Sequence, residues 1–104
     1  MRATKDNILN YLKEIKKELK SMGVTHLALF GSFAREKQNV YSDIDIAILK
    51  EKKIDSTSFS YDYFELITYI KDKIRQKFHR NVDIFDLDSE SSFKKSIEKE
   101  LIYI

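Results

Sequence analysis

The first part of the chain has the hydrophobic pattern of an amphipathic helix. Between Thr4 and Met22, apolar residues recur at steps of four, three, four and three, as they do along one face of an α-helix. These residues are Ile8, Leu12, Ile15, Leu19 and Met22. Gly23 follows at the position where a left-handed C-terminal cap is expected. The pattern therefore predicts a helix over 4–22 that buries one stripe.

The next segment, VTHLALF at 24–30, is short, partly β-branched and bounded by glycines. These features predict a largely buried strand that ends at Gly31. A helical turn is expected to begin at Ser32, with the Ser32 side chain as its N-cap. Residues 33–40 are expected to complete a short helix and a loop.

The segment SDIDIAIL at 42–49 alternates between two kinds of residue, which is the two-residue period of a β-strand. One face carries Ile44, Ile46 and Ile48, and the other carries Asp43, Asp45 and Ala47. The sequence therefore predicts a second strand with one apolar face and one face that presents carboxylates.

The rest of the chain predicts two helices and two further strands. A long helix is expected over about 59–78, a third strand over 81–87, a last helix over 89–101 and a short edge strand at 102–104. The apolar stripe of the long helix is predicted at Phe59, Tyr63, Ile67, Ile70, Ile74 and Phe78. Strands separated by helices indicate an α/β (α+β) fold, with a mixed sheet of three to four strands flanked by helices.

Composition narrows the class of protein. A chain of 104 residues has room for one compact domain, 1–104. The net charge of +2 is too close to neutral for direct nucleic-acid binding to be expected. No cysteine is present, which excludes disulfides and thiolate metal sites. No segment resembles a secretory signal or approaches the roughly 20 apolar residues of a membrane span, so we expect a cytoplasmic protein without membrane contact.

The first candidate for chemistry is the pair Asp43 and Asp45. Carboxylates two residues apart on a strand lie on one face, about 6.6–7 Å apart at Cα. Like charges at that distance destabilise each other unless a cation lies between them. A divalent ion with oxygen ligands, such as Mg²⁺, would serve as that cation. The alternative is that this face is exposed and the two aspartates only keep it hydrated.

A third carboxylate, Asp83, lies in a strand that is otherwise apolar on both faces. Burying a lone carboxylate is costly, so such a group is normally paired, hydrogen-bonded or bound to a metal. Asp83 is therefore predicted as a third metal ligand. The alternatives are a position at a strand end or edge, or an ion pair with a Lys or Arg of the basic segment 71–80.

Gly31 and Ser32 stand where the first strand gives way to a helix. Glycine lets a ligand approach the backbone, and the first amides of a helix favour an anion. The pair is therefore a candidate site for a phosphate group, with helix capping alone as the other interpretation. Arg35, one turn further on, is a candidate to neutralise phosphate charge.

Together these residues form the string GSFAREKQNVYSDIDIAIL, followed by Asp83 in NVDIFDL. The string resembles the signature of the DNA polymerase β-like nucleotidyltransferase superfamily. The small size is similar to its minimal nucleotidyltransferases, the MNT-type antitoxins paired with HEPN-domain toxins. The resemblance implies that Asp43 and Asp45 bind two Mg²⁺ ions, that Asp83 completes the site, and that Gly31 and Ser32 hold the β- and γ-phosphates of a nucleotide.

The function expected from the residues and the resemblance is a Mg²⁺-dependent transfer of AMP, or another nucleoside monophosphate, from a nucleoside triphosphate such as ATP to an acceptor hydroxyl. Because no acceptor-binding segment follows the core, we expect another protein to present the acceptor. The resemblance implies that this acceptor is a tyrosine of a HEPN-type toxin. Two alternatives stay open. The protein could be an antitoxin that neutralises its partner by contact, or a small-molecule nucleotidyltransferase that acts as an oligomer.

Overall fold

The computed structural model describes residues 1–51, 63–88 and 92–104. In chain order its elements are helix α1 (Lys5–Ser21), strand β1 (Val24–Phe30), helix α2 (Gly31–Ala34), strand β2 (Ile44–Lys50), helix α3 (Tyr63–Phe78), strand β3 (Val82–Asp86), helix α4 (Ser92–Ile97), a 3₁₀ turn (Glu98–Glu100) and strand β4 (Ile102–Tyr103). The strands lie in the order β3-β2-β1-β4. This four-stranded sheet flanked by helices confirms the predicted fold class.

The sheet is mixed. β1 pairs antiparallel with β2 on one side and with β4 on the other, whereas β2 and β3 are parallel. The short strand predicted at the end of the chain is present, and it pairs Tyr103 with Ala28 and Ile102 with Leu29. As a result β3 and β4 are the two edges of the sheet.

Helix α1 begins and ends close to its predicted limits. The Thr4 hydroxyl accepts a hydrogen bond from the Asn7 backbone N–H at 3.1 Å, which caps the first turn. At the other end Gly23 takes a φ of 107°, in the left-handed region that favours glycine. The chain can therefore turn directly from α1 into β1.

The isoleucine face of β2 is the centre of the main core. Ile44, Ile46 and Ile48 are fully buried there together with the inner stripes of α1 and α3. The opposite face carries a smaller cluster of Ala28, Phe30, Ala47, Leu87 and Ile97, against which Leu101 packs. Residues of α4 and the turn that follows it therefore cover part of the face on which the aspartates were predicted.

The two later helices differ in detail from their predictions. Helix α3 is described from Tyr63, and the predicted residues 59–62, including Phe59, lie outside the described part of the chain. Its buried stripe contains Leu66, whereas Ile67 is only partly buried, because Leu66 lies closer in helical phase to Ile70. The predicted last helix is shorter, Ser92–Ile97, and continues as the 3₁₀ turn, while 89–91 also lie outside the described residues.

Within the described ranges, no helix has both the length and the apolar character that a membrane crossing requires.

The core of the sheet predicts the stability effect of one substitution. Ile46→Ala removes a fully buried side chain from the central strand, so we expect a loss of about 2–5 kcal/mol in the free energy of unfolding. Val40→Ala, at a residue that is 78% exposed, is the matched control and should stay within about 0.5 kcal/mol of the wild type. Denaturant unfolding measures both, and equal losses would contradict the assignment of the core.

Candidate active site

The register of the sheet brings two of the predicted carboxylates side by side. Asp45 on β2 is the partner of Asp83 on β3, and Phe30 at the end of β1 is the partner of Asp45 on its other side. Neighbouring strands lie about 4.8 Å apart. Asp43 immediately precedes β2 and, by the alternation of the strand, faces the same way as Asp45. The three aspartates therefore share one region of one face.

The surroundings of Asp83 differ from the prediction. Asp83 was expected to be buried, but its side chain is exposed, as is that of Asp43. Val82, its neighbour on the same edge strand, is buried, so the exposure of Asp83 belongs to the face that carries the aspartates and not to the strand as a whole. Among the described residues no cation forms an ion pair with Asp83. The prediction that Asp83 is buried is thus wrong, and burial no longer supports its assignment as a metal ligand. The position of Asp83 beside Asp45 supports that assignment instead.

Asp45 is the carboxylate whose ionisation the site changes most. Burial, followed by the neighbouring charges of Asp83 and Asp43, raises the pKa of Asp45 to about 6. Glu100 acts in the same direction, and the guanidinium of Arg35 opposes them. These effects disfavour the ionised form of the Asp45 carboxyl, and a nearby cation would stabilise it. The electrostatics of the site therefore favour binding of a positive charge at Asp45.

Gly31 is required at its position for two reasons. Its φ of 80° lies in the left-handed region that side chains disfavour. A Cβ at this residue would also lie 2.1 Å from Oδ2 of Asp45. The backbone at the start of α2 therefore approaches the Asp45 carboxylate as closely as only a glycine allows.

The structure corrects the role predicted for Ser32 in the helix. Helix α2 begins at Gly31, its N-cap residue is Phe30, and no side chain forms a capping hydrogen bond. Ser32 is the second residue of the helix and is partly buried. Capping was the competing explanation for this serine, and the geometry removes it.

Arg35 contacts a residue that the sequence analysis missed. Its Nη1 donates to Oε2 of Glu100 at 2.7 Å, and the backbone N–H of Gly31 donates to Oε1 of the same carboxylate at 3.3 Å. Glu100 lies in the 3₁₀ turn between α4 and β4. Sequence pattern placed Glu100 in an amphipathic helix and offered no sign that it would reach the Gly31–Ser32 segment.

A second residue that the sequence did not single out holds the loop before Asp43. Nη1 of Arg80 donates to the carbonyl oxygens of Asn39 and Ser42 at 3.0 and 2.9 Å, and its guanidinium stacks on Phe33. Within the loop, the Asn39 N–H donates to the Ser42 hydroxyl. Arg80 thereby fixes the approach of the chain to Asp43.

The acidic residues at the end of β3 and just after it belong to a different contact. The ammonium of Lys50 lies 3.6 Å from Oδ2 of Asp86 and 3.9 Å from Oδ2 of Asp88. Lys50 is buried, so it needs this negative charge. Asp86 and Asp88 therefore balance a lysine and do not add to the group around Asp45.

The donor set at the three aspartates suits a hard divalent cation. Carboxylate oxygens are the ligands that Mg²⁺ prefers. Burial first, and then the charges of Asp83 and Asp43, raise the pKa of Asp45, and a bound cation would offset both effects. Among the described residues no three acidic or imidazole side chains already stand together as a formed metal cluster. Asp43 and Asp83 are exposed, so rotation of their side chains is the change that binding would require.

Comparison with known proteins identifies the family. Residues 13–104 match the family model described as "Polymerase beta, Nucleotidyltransferase". The chain belongs to this nucleotidyltransferase family. Two Methanocaldococcus jannaschii proteins, MJ1379 and MJ0126, are 39% and 38% identical to it, and each match covers 97% of this chain and 98% of the relative. Both are named as candidate protein adenylyltransferases, which agrees with the predicted class of enzyme.

Solved structures are similar to this nucleotidyltransferase as well. A toxin-antitoxin crystal structure with AMP-PNP matches at 28% identity and a TM-score of 0.54, and the match covers 78% of this chain and 60% of that one. The toxin-antitoxin MntA-HpeT structure matches in fold with a TM-score of 0.62 at 20% identity, over 97% of this chain and 72% of that one. A Sulfolobus solfataricus nucleotidyltransferase also matches in fold, with a TM-score of 0.52. The resemblance to minimal nucleotidyltransferases is therefore confirmed.

The raised pKa of Asp45 predicts how stability depends on pH. Between its usual pKa of 3.8 and about 6 the folded protein holds a proton that the unfolded chain has released, so the contribution of Asp45 to stability falls as the pH rises through this window. In metal-free buffer, Asp45→Asn should therefore be more stable than the wild type at pH 7, and the difference should shrink towards pH 4.

Thermal unfolding between pH 4 and pH 7, with a chelator present, measures this dependence. Glu14→Gln, at an exposed position within α1, is the control and should parallel the wild type at each pH. An Asp45→Asn variant that also parallels the wild type would contradict the electrostatic description of the site.

Proposed function

We propose that this protein transfers AMP from ATP to a hydroxyl group of a partner protein. The observation that carries the proposal is a row of three positions across the sheet. Phe30 at the end of β1 pairs with Asp45 on β2, and Asp45 pairs with Asp83 on β3, in three neighbouring strands. Gly31 follows Phe30 directly and so lies one residue beyond this row. A displacement at phosphorus needs the leaving and attacking oxygens on opposite sides of the phosphorus atom. With the phosphorus next to Asp45, the β1 end and the β3 end of the row would lie on those two sides.

The side of the row at β1 would hold the leaving group. The Gly31 N–H, the Ser32 hydroxyl and the Arg35 guanidinium are donors that match the β- and γ-phosphates of a nucleotide. Ser32 makes no capping hydrogen bond, so its hydroxyl is available to such a ligand. The close approach of Gly31 to Asp45 would bring the α-phosphate next to that carboxylate.

The side at β3 would receive the acceptor. The acceptor oxygen forms a bond to the α-phosphorus, the bond from that phosphorus to the bridging oxygen of the β-phosphate breaks, and pyrophosphate leaves on the Gly31 side. Asp83 would accept the proton of the hydroxyl, and its exposure supports this role. The open edge lets a hydroxyl on a large molecule reach this point.

Two Mg²⁺ ions would be held by Asp43 and Asp45, with Asp83 completing the set. When bound, such ions lower the pKa of the attacking hydroxyl and balance the charge of the reacting phosphate. The raised pKa of Asp45, caused by burial and then by the charges of Asp83 and Asp43, supports this assignment, because a bound cation would stabilise the ionised carboxylate. It also implies that nucleotide binding in the presence of Mg²⁺ weakens as the pH falls below about 6.

The acceptor we propose is a tyrosine of a HEPN-type toxin. The relatives named as candidate protein adenylyltransferases and the toxin-antitoxin structures support a protein partner. An open groove of about 840 Å³ beside Asp43, bordered by Tyr41, Arg75 and His79, offers a surface next to the site on which a partner segment could rest. Neutralisation of the toxin by contact alone is the competing function.

Ser32 allows a test of the phosphate site. Because its hydroxyl caps nothing, Ser32→Ala should leave the unfolding temperature nearly unchanged and weaken binding of Mg²⁺ and AMP-PNP about 10- to 100-fold, the value of one hydrogen bond to a charged group. Calorimetric titration measures the affinity. Ser21→Ala, at the end of α1 where the hydroxyl donates to Glu18, is the control and should bind normally.

The transfer itself is tested with the protein encoded beside this one, which the proposal expects to be a HEPN-type toxin. In the presence of ATP and Mg²⁺ the partner should gain the mass of AMP groups on tyrosine, pyrophosphate should be released, and inhibition should persist after the two proteins are separated. Asp43→Asn, or a chelator, should abolish all three effects. Inhibition that survives Asp43→Asn without a mass change, and that is lost on separation, would favour neutralisation by contact.

A further inference from the structure

The proposed phosphate donors already hold an anion that belongs to the chain itself. The Glu100 carboxylate receives the Gly31 N–H on one oxygen at 3.3 Å and the Arg35 guanidinium on the other at 2.7 Å. A carboxylate and a phosphate group both present oxygen acceptors to such a pair of donors. Glu100 therefore occupies donors that the proposed function gives to a nucleotide.

The backbone on either side of Glu100 holds it at this place. Before it, Ile97 is buried in the smaller core cluster, against which Leu101 also packs. After it, β4 pairs with the middle of β1 through Ile102 and Tyr103. The 3₁₀ turn Glu98–Glu100 thus lies between two anchored segments. The Glu100 side chain, only 26% exposed, therefore lies at the end of β1.

We propose that Glu100 is a gate of the nucleotide site, whose carboxylate is exchanged for a terminal phosphate of the nucleotide when the triphosphate binds. This inference rests on the proposed function. In the unliganded protein Glu100 neutralises Arg35 and accepts from Gly31. On binding, the phosphate takes both donors and the Glu100 side chain rotates towards solvent.

The exchange makes the site selective for a long phosphate chain. Displacing Glu100 breaks a charged pair with Arg35, so the incoming group must offer at least as much negative charge to the same donors. A triphosphate can do so with its terminal phosphates, whereas AMP has none to place there. When pyrophosphate leaves, Glu100 can return to Gly31 and Arg35 and keep the products from rebinding.

The same contacts would also fit a simpler role, in which Glu100 only positions Arg35 for the phosphate. The two roles predict opposite signs. If Glu100 competes with the nucleotide, removing its charge tightens binding of a triphosphate. If Glu100 positions Arg35, removing the carboxylate weakens binding.

The test is calorimetric titration of Mg²⁺ and AMP-PNP, and separately of AMP, into the wild type, Glu100→Gln and Glu100→Ala. We expect Glu100→Ala to bind AMP-PNP about tenfold more tightly, the effect of removing one competing charged contact, and Glu100→Gln to show a smaller gain in the same direction. The affinity for AMP should not change in either variant.

Glu98→Gln is the matched control. Glu98 is exposed in the same 3₁₀ turn, so this variant removes an equal charge without touching Gly31 or Arg35, and its affinity for AMP-PNP should equal that of the wild type. An equal gain in affinity for AMP-PNP in Glu98→Gln would overturn the proposal, since it would show that the effect comes from the change in net charge alone.

Two further outcomes separate this inference from the function on which it rests. AMP-PNP binding that is unchanged or weaker in both Glu100 variants would overturn the gate and leave the nucleotide site standing. If neither the wild type nor any variant bound AMP-PNP with Mg²⁺, the proposed function and the gate would both be wrong. Thermal unfolding of each variant, measured alongside, shows whether a weaker affinity reflects loss of the fold.

Discussion

The register of β2 between β1 and β3 is the constraint on which the site depends. It sets the end of β1, Asp45 and Asp83 in one line, and the side-chain period of a strand fixes which face they share. A slip of one residue in β2 would turn Asp45 into the core and bring the isoleucines to the surface. Burial of Ile44, Ile46 and Ile48 therefore holds the carboxylates in place as much as it stabilises the fold.

Electrostatic strain is the cost of this arrangement. Asp45 is half-buried beside two other carboxylates, and its pKa is raised by burial first and by the repulsion of those carboxylates second. Arg35 offsets part of it, yet Arg35 is itself paired with Glu100. The described residues therefore neutralise these carboxylates only in part. Under the proposed function, a metal ion would supply the missing cation and a nucleotide would supply an anion for Arg35.

Much of the fold could be predicted from the sequence because periodicity is a local property. The stripe of α1, the alternation around Asp43 and Asp45, and the glycine after α1 each follow from a few neighbouring residues, and the structure agrees with them. The string from Gly31 to Asp45 identified the family for the same reason. The prediction that Ser32 caps the helix was wrong because the helix begins one residue earlier, at Gly31. The left-handed φ of Gly31 is one that only glycine adopts easily.

The contacts that could not be predicted are those between residues far apart in the chain. Glu100 reaches Gly31 and Arg35 because β4 pairs with β1, and Arg80 reaches the loop at Asn39 and Ser42 because α3 ends beside it. No local pattern marks either residue. The exposure of Asp83 also depends on long-range packing, because residues of α4 cover its face of the sheet only in part.

The position of Asp83 has a consequence for solubility. An edge strand presents unpaired backbone groups that can recruit a strand from another molecule, and charged side chains at such an edge discourage this association. β3 is an edge of five residues that begins and ends beside carboxylates, with Asp83 near one end and Asp86 at the other. Asp83, which the proposed function places near the acceptor hydroxyl, thus also discourages self-association at this edge, and both roles would depend on the same side chain.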